Sequence, residues 1–257
     1  MISVVIPTYK EPNVLDLCLK SLILGQKHQN QIIVVVDGFY EINKEIIEKY
    51  SKNISGLNLE NNVDTPKATN LGVYNAHFDK ILIVNDDNVF PYNWDIKLLD
   101  LFKENSVVSP NQIEPIPSIF NQFIIENLGR DPKTFNLQQY WGFENKTSEK
   151  KLEPTGSTLP IFMAKKDYLM VGGMDESYPE GWVVDWDFFL KCELVGLEML
   201  RSYNCHFYHF VSVGTESTPE EKQNKQLREK ECHEYFKYKW GQYAQHNPKN
   251  NSKLIKV

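Results

Sequence analysis

What most constrains the fold of this chain is an alternation running through its first 110 residues. Short apolar runs at 3–6, 31–36, 81–84 and 107–109 are separated by stretches whose apolar residues recur three and four apart. Such runs have the character of strands buried on both faces, and the stretches between them that of amphipathic helices. Pro12 suits the first turn of a helix on which Leu15, Cys18, Leu19 and Leu22 share a face, and Gly25 closes its end. Further helices are expected over 41–50, 65–78 and 93–102, with a weak strand at 58–61. This pattern predicts an α/β fold, a mostly parallel central sheet with helices on both faces.

Between 111 and 158 the pattern loosens, with a helix expected at 119–127 and a polar run at 145–151. Long irregular segments in compact domains serve as lids or linkers, and this one reads as a partly mobile lid. Asn145-Lys146-Thr147 fits a glycosylation sequon, a reading that falls without a signal peptide. Beyond it come a strand at 159–163, a helix at 165–171, a turn at 172–176 and a helix at 184–195. A strand pair follows at 198–201 and 205–210, then a charged helix over 218–240, packed by Leu227, Tyr235 and Phe236. The tail after His246 reads as frayed, and no repeat or low-complexity segment interrupts the chain.

At 257 residues the chain suffices for one large α/β domain or two small ones, with a substantial core. A formal charge of −6 argues against nucleic acid as the partner, because phosphate backbones call for a basic surface. No basic leader precedes the first apolar run, and no run approaches the roughly 18–20 apolar residues that span a bilayer. The expectation is therefore a protein without a transmembrane segment, cytoplasmic or peripheral to a membrane. The four cysteines, Cys18, Cys192, Cys205 and Cys232, contain no C-x-x-C pair. Cys18 and Cys192 fall on apolar helix faces, and Cys205, His206, His209, Cys232 and His233 match no common zinc spacing. A reducing compartment is the simpler reading.

The ends of the strands carry the chemistry. ILIVNDDNVFP, residues 81–91, delivers Asp86 and Asp87 side by side at the end of an apolar run. Adjacent carboxylates repel unless water, a cation or donors neutralise them, although Asp and Asn also favour plain turns. In open α/β sheets ligands bind beyond the carboxyl ends of the strands. Three such ends are unusual here: Pro7-Thr8-Tyr9, Asp37-Gly38 and Asp86-Asp87-Asn88. Neither G-x-G-x-x-G nor G-x-x-x-x-G-K-[ST] follows the first strand, which sets aside dinucleotide and P-loop sites. What remains is a nucleotide site without a glycine-rich loop, in which a divalent cation handles the phosphates.

With those residues in view, the chain resembles the family 2 glycosyltransferases of the GT-A fold. VVIPTYKEPNVLDLCLKSLILGQ is similar to that family's opening strand and helix, IIVVVDG to its second strand, KATNLGVYNA to its third helix and NDDN to its D-x-D region. The likeness resumes at GGMDESYPEGWVVDWDFFLKCELVG and YHFVSVGT, with a fainter echo at FKYKWG. The resemblance implies one GT-A catalytic domain over 1–246, with a nucleotide-sugar half (1–104), an acceptor half (105–246) and a flexible tail at 247–257. It also implies inverting, metal-dependent transfer from a nucleoside diphosphate sugar, such as a UDP-sugar, to a hydroxyl of a glycan or glycoconjugate. The cofactor would be Mn²⁺ or Mg²⁺.

Residue by residue, the resemblance gives Asp87 and His209 to the metal, and Asp86 to the ribose or a metal-bound water. It gives Asp37 to the base or ribose, Asp185 to the general base, and Pro7, Thr8, Tyr9, Glu11 and Lys67 to the nucleotide. Each has a plainer alternative: a turn for Asp37-Gly38, a core aromatic for Tyr9, a solvated lysine for Lys67, a structural ring for His209. Asp185 and Asp187 would both suit a helix start, with Asp187 there or on the acceptor side. Gly38 stands where the family often carries a second acid, Asn88 where another acid often sits, and Val184 where a glutamate is usual. Those three departures support the rival reading, a non-catalytic nucleotide-sugar or glycan binding protein.

Overall fold

In the first half, β1 (Ser3–Thr8), α1 (Pro12–Gly25), β2 (Gln31–Asp37), α2 (Tyr40–Lys49), β3 (Ser55–Leu59), α3 (Thr65–Tyr74) and β4 (Lys80–Ile83) alternate as the hydrophobic pattern requires. Then come β5 (Asn88–Val89), α4 (Trp94–Leu99), β6 (Ser106–Glu114), β7 (Ile124–Ile125), α5 (Leu137–Thr147) and β8 (Leu152–Glu153). The chain continues through β9 (Ile161–Ala164), α6 (Lys165–Met170), α7 (Val184–Leu194), β10 (Glu198–His209) and α8 (Pro219–Trp240). The structure is a computed structural model and describes residues 1–118, 121–154, 158–179, 181–211 and 219–244. Among these residues no helix is long and apolar enough to cross a membrane.

The strands form one sheet in the order β3-β2-β1-β4-β9-β6-β10-β5, with β7 beside β6 and β8 beside β10. The pairs β1–β2, β2–β3, β1–β4, β6–β10 and β6–β7 are parallel. β9 runs antiparallel between β4 and β6, and β5 and β8 run antiparallel to β10. From β1 the chain steps outward to β2 and β3, then returns through α3 to lay β4 on the other side of β1. That reversal opens a crevice between the carboxyl ends of β1 and β4, the place where open sheets bind ligands.

Both faces of the sheet are buried, which is why its strands read as unbroken apolar runs. Val5, Ile33, Val35, Ile81 and Ile83 point to one face, under Ala68 and Val73 of α3, Tyr168 of α6, Phe188 and Phe189 of α7, and Cys232 and Phe236 of α8. Val4, Ile6, Ile32, Val34, Val36, Leu82 and Val84 point to the other, under Leu15, Leu19 and Leu22 of α1, Ile47 of α2, and Trp94 and Leu98 of α4. A smaller core gathers Val89, Ile113, Tyr140, Tyr208 and Phe210. α3 lies so close to the sheet that a Cβ on Gly72 would stand 2.3 Å from Val5 Cγ1. Two residues earlier, Asn70 donates to Met174 O (2.9 Å) and accepts from the Tyr168 hydroxyl (2.6 Å), tying α3 to the 172–176 turn.

The structure departs from the expected elements in several places. The weak third strand lies at Ser55–Leu59, earlier than 58–61. The expected strand pair is one strand, β10, whose pairing with β6 shifts register between Ser202 and His206. Residues 121–127 form a turn and β7 instead of a helix, since the Glu126 N–H pairs with Glu114 O (2.9 Å); 119 and 120 lie outside the described residues. The segment expected to be loose contains α5, anchored by the fully buried Tyr140 and Glu144. Its polar end is pinned too, with Glu149 N donating to Tyr203 O (2.8 Å) and Tyr203 N to Lys151 O (3.0 Å). On α8 Tyr235 and Phe236 pack against the core as expected, together with Cys232, while Leu227 is 54% exposed. The tail after His246 lies outside the described residues.

Candidate active site

The crevice between β1 and β4 is closed by a hydrogen bond across it. Thr8, the last residue of β1, donates from Oγ1 to Asp86 Oδ2 at 2.6 Å. Pro7 and Thr8 pair with Val35 and Val36 of β2, so β1 delivers them rigidly. Glu11 caps α1 just beyond, half-buried, with its carboxyl raised by burial, and its charge reaches Asp86. Burial, and then the charge of Asp87, push the Asp86 carboxyl up to about 7.

Asp87 keeps different company. Its Oδ1 accepts from Asn88 Nδ2 (3.0 Å), and its Oδ2 stands 3.2 Å from His209 Nε2. Burial alone would raise its carboxyl, but His209 and the Asn88 amide hold it below the usual carboxylate range. The sheet makes this pair: β5 and β10 are antiparallel with His209 directly opposite Asn88, and Phe210 N donates to Asp87 O (3.1 Å). The other ring nitrogen, Nδ1, lies 2.9 Å from Glu114 Oε1, at the end of β6. Burial disfavours charge on the ring, yet Asp87 and Glu114 push its pKa up to about 10.

A divalent ion fits this donor set. Adjacent ligands about 2.1 Å from an octahedral ion lie about 3 Å apart, close to the Asp87–His209 separation. Asn88 Oδ1, buried alongside, has no hydrogen-bond partner among the described residues. Among the described residues no three His, Cys, Asp or Glu side chains make a full cage, so diphosphate oxygens and water would complete the shell.

At the neighbouring strand end Asp37 is buried, and its Oδ1 accepts from Val63 N at 2.7 Å. Burial raises its carboxyl, although that N–H favours the charge. Gly38 (φ +72°) and Phe39 (φ 52°) then turn the chain through the left-handed region. A Cβ on Gly38 would stand 2.9 Å from Asn62 N, so the second acid that often follows has no room here. Tyr9 and Phe39 meet edge to face at 4.9 Å, both more than two-fifths exposed, with Lys10 Nζ 4.1 Å above the Phe39 ring. Tyr9 is thus an exposed ring at the mouth of the crevice and no core aromatic, and its carbonyl is held by Asn43 Nδ2 (2.6 Å). Lys67 is exposed on the first turn of α3, with no ion pair to the described residues.

Asp185 arrives from the other half of the chain. Val183, in the left-handed region (φ 52°), starts α7, and Asp185 Oδ1 accepts from Trp186 N at 3.0 Å. Burial pushes its carboxyl up to about 6. α3 starts at the carboxyl edge of the sheet, and a Cβ on Gly181 would stand 3.2 Å from Thr65 Oγ1 at that start. The beginning of α7 therefore lies on the same edge as the acid pair. Asp187 is no acceptor-side residue: fully buried, it accepts from Trp240 Nε1 (2.7 Å) and the Tyr178 hydroxyl (3.3 Å) and pairs with Lys239 Nζ (2.7 Å). Glu114 was not foreseen, because the strand expected at 107–109 runs on to 114 and ends, like β2, in an acid.

Comparison with known proteins agrees with this fold. The model of the family described as glycosyl transferase family 2 matches residues 3–171. No curated protein matches the chain by sequence. Among solved structures, a fragment of S. aureus TarS, residues 1–349, is similar over 93% of this chain and 73% of its own, at TM-score 0.57 and 14% identity. GalNAc-T7 with UDP, GalNAc and Mn²⁺ is similar over 81% of this chain and 43% of its own, at TM-score 0.59 and 12% identity. A mannosyltransferase from Pyrobaculum calidifontis, with GDP-Man and Mn²⁺, is similar over 83% of this chain and 58% of its own, at TM-score 0.59 and 13% identity. The chain thus spans less than two thirds of the last two.

Proposed function

The chain belongs to glycosyl transferase family 2, a glycosyltransferase with the GT-A fold, and we propose that it moves a sugar from a nucleoside diphosphate sugar to an acceptor hydroxyl, by a metal-dependent single displacement with inversion. The observation that carries this reading is the Asp87–His209 pair at 3.2 Å, set beside Asp86 at the point where the sheet reverses. We take 1–104 as the donor half, 105–246 as the half that meets a glycan or glycoconjugate, and 247–257 as a tail. Buried Cys18, Cys192 and Cys205 favour a reducing, cytoplasmic or membrane-peripheral setting.

In this reading Asp37 accepts a hydrogen bond from the base or ribose, and the exposed Tyr9 ring covers the nucleoside. Pro7, Thr8 and Glu11 shape the floor, and Asp86, steadied by Thr8, meets the ribose or a metal-bound water. Lys67 reaches toward the diphosphate from the start of α3. Asp87 and His209 would hold Mn²⁺ or Mg²⁺, which would supply positive charge to the leaving diphosphate. Two related folds carry Mn²⁺, with UDP or GDP-Man, which supports the metal and the donor class while leaving the base open. Asp185 takes the acceptor hydroxyl's proton as that oxygen bonds to the anomeric carbon. The bond from that carbon to the diphosphate breaks, and its electron pair leaves with the phosphate. Asp187 is fully buried, with Oδ1 held by Trp240 and Lys239 of α8 and Oδ2 3.7 Å from Lys191 Nζ, so we take Asp185 as the single base at the start of α7, with no second carboxylate as nucleophile, which supports inversion.

The deciding experiment is a panel of UDP- and GDP-sugars assayed for transfer and hydrolysis, in Mn²⁺ and in EDTA. Release of nucleoside diphosphate that needs the metal supports the reading. Tight donor binding with no turnover, across donors and acceptors, would establish the non-catalytic binder instead.

A further inference from the structure

His209 touches two carboxylates, and only one of them faces the place where a cation would sit. Nε2 stands 3.2 Å from Asp87 Oδ2, and Nδ1 stands 2.9 Å from Glu114 Oε1. The lone-pair directions of the two ring nitrogens diverge, so a group bonded at Nδ1 lies on the far side of the ring from an ion held at Nε2. Glu114 is therefore placed to orient the ring and not to ligate the same ion through that oxygen.

We propose that Glu114 is a positioning residue of the metal site: it accepts the Nδ1–H hydrogen bond of His209 and so presents the Nε2 lone pair toward Asp87. This rests on the metal-dependent reading given above. An imidazole ligates through one nitrogen while the other keeps a proton, and the partner of that proton selects tautomer and ring angle.

The sheet fixes the geometry in advance. β6 and β10 are parallel with Ile113 opposite Tyr208, and Glu114 and His209 directly follow that last pair of the ladder. β7 braces that end, since Glu114 pairs with Ile125 and its carbonyl accepts from Glu126 N at 2.9 Å. The Glu114 side chain is only 7% exposed, and a buried carboxylate needs partners to be tolerated. The second ligand is braced in the same way, because Asn88 Nδ2 holds Asp87 Oδ1 at 3.0 Å and leaves Oδ2 toward the ring. Each side chain proposed to hold the ion thus has its own outer partner, one on β5 and one on β6.

The test titrates Mn²⁺ alone into the apo protein and follows it by electron paramagnetic resonance, with Glu114→Ala, Glu114→Gln, His209→Ala and Asp87→Ala beside the parent. The expected result is a loss of Mn²⁺ affinity of about 10–100-fold in Glu114→Ala, the usual effect of removing an outer-shell partner. Glu114→Gln, whose amide oxygen still accepts from Nδ1–H, recovers most of that loss. The imidazole nitrogen coupling to bound Mn²⁺ is present in the parent and weakened in Glu114→Ala. UDP affinity in EDTA stays within about twofold, which a merely structural defect would not allow. If Glu114→Ala binds Mn²⁺ as tightly as the parent, with the same coupling, while His209→Ala loses it, the proposal is overturned and the metal site stands. If His209→Ala and Asp87→Ala also bind as the parent does, the metal reading itself fails and the proposal with it. Should Glu114→Ala not fold, Glu114→Asp decides: it keeps the charge but shortens the reach, and unchanged affinity and coupling would overturn the proposal.

Discussion

Asp86 and Asp87 are neighbours along the chain, and their surroundings drive them apart. Asp86 is pushed up to about 7 by burial and the charge of Asp87, despite the Thr8 hydroxyl, whereas Asp87 is held down by His209 and Asn88. Like charges that cannot both be neutralised separate into one easily protonated group and one persistent anion. Asp87→Ala is therefore expected to abolish the dependence of UDP binding on Mn²⁺, as read by calorimetry. Equally tight binding by the parent in Mn²⁺ and in EDTA would sink the role given to Asp87 and leave the nucleotide site standing. Asp185 supplies the second residue-scale expectation. Asp185→Asn keeps shape and hydrogen-bonding reach but takes no proton, so turnover should fall by roughly 10²-fold or more, with donor affinity hardly changed. A base works deprotonated, and this carboxyl sits near 6, so kcat/KM of the parent should rise from pH 5 to 7 with a midpoint near 6. That limb should vanish in Asp185→Asn; a variant that keeps both the rate and the limb would move the base elsewhere. These acids were legible because strand ends and a helix start announce them in the sequence. Glu114 was not, since nothing local shows that Pro110 sits inside a strand that continues to it.

At the scale of elements, α7 and α8 are joined by a buried polar latch. Asp187 gathers Trp240, Lys239 and Tyr178, Lys239 also pairs with Asp175 at 2.6 Å, and Asp175 is held at about 2 despite its burial. Asp187→Asn removes the charge at the centre of this latch, and hydrogen bonds to buried charges are worth about 1.5–3 kcal/mol. The expected outcome is a fall in unfolding free energy of about that size, seen as a lower urea midpoint at unchanged slope. Turnover, by contrast, should drop less than tenfold, because Asp187 faces α8 and not the crevice. A variant as stable as the parent but catalytically dead would contradict the division of labour between Asp185 and Asp187. The element that the hydrophobic pattern missed shows the limit of such patterns. α5, with sequence LQQYWGFENKT, buries a glutamate whose distant partners are Lys97 Nζ at 2.6 Å and His206 N at 3.2 Å from its carboxylate. Nothing within the helix forecasts them.

For the whole molecule, the parallel half was readable because its strands and helices alternate strictly along the chain, although β4 pairs with β1 and not with β3. The other half is assembled from distant pieces: β9 slots between β4 and β6, and β10 closes on β5 about 120 residues earlier. Local periodicity carries no record of such pairings, so the approach of His209 to Asp87 followed only from resemblance until the sheet was seen. That assembly has a thermodynamic consequence. If the cation is held between a residue after β4 and the last residue of β10, then metal and nucleotide together clasp both halves of the sheet, and neither half alone offers the full site. A ligand at a hundred times its Kd that binds only the folded state adds about 2.7 kcal/mol. For a domain of this size each kcal/mol is worth about 2–4 °C, so Tm should rise by about 5–11 °C with saturating UDP and Mn²⁺. UDP in EDTA should give a much smaller rise, and His209→Ala should reduce the Mn²⁺-dependent part toward that level, measured by differential scanning calorimetry at fixed protein and ligand concentrations. Equal shifts with and without the metal would mean that UDP binds through the donor half alone, and the clasp across β4 and β10 would have to be abandoned.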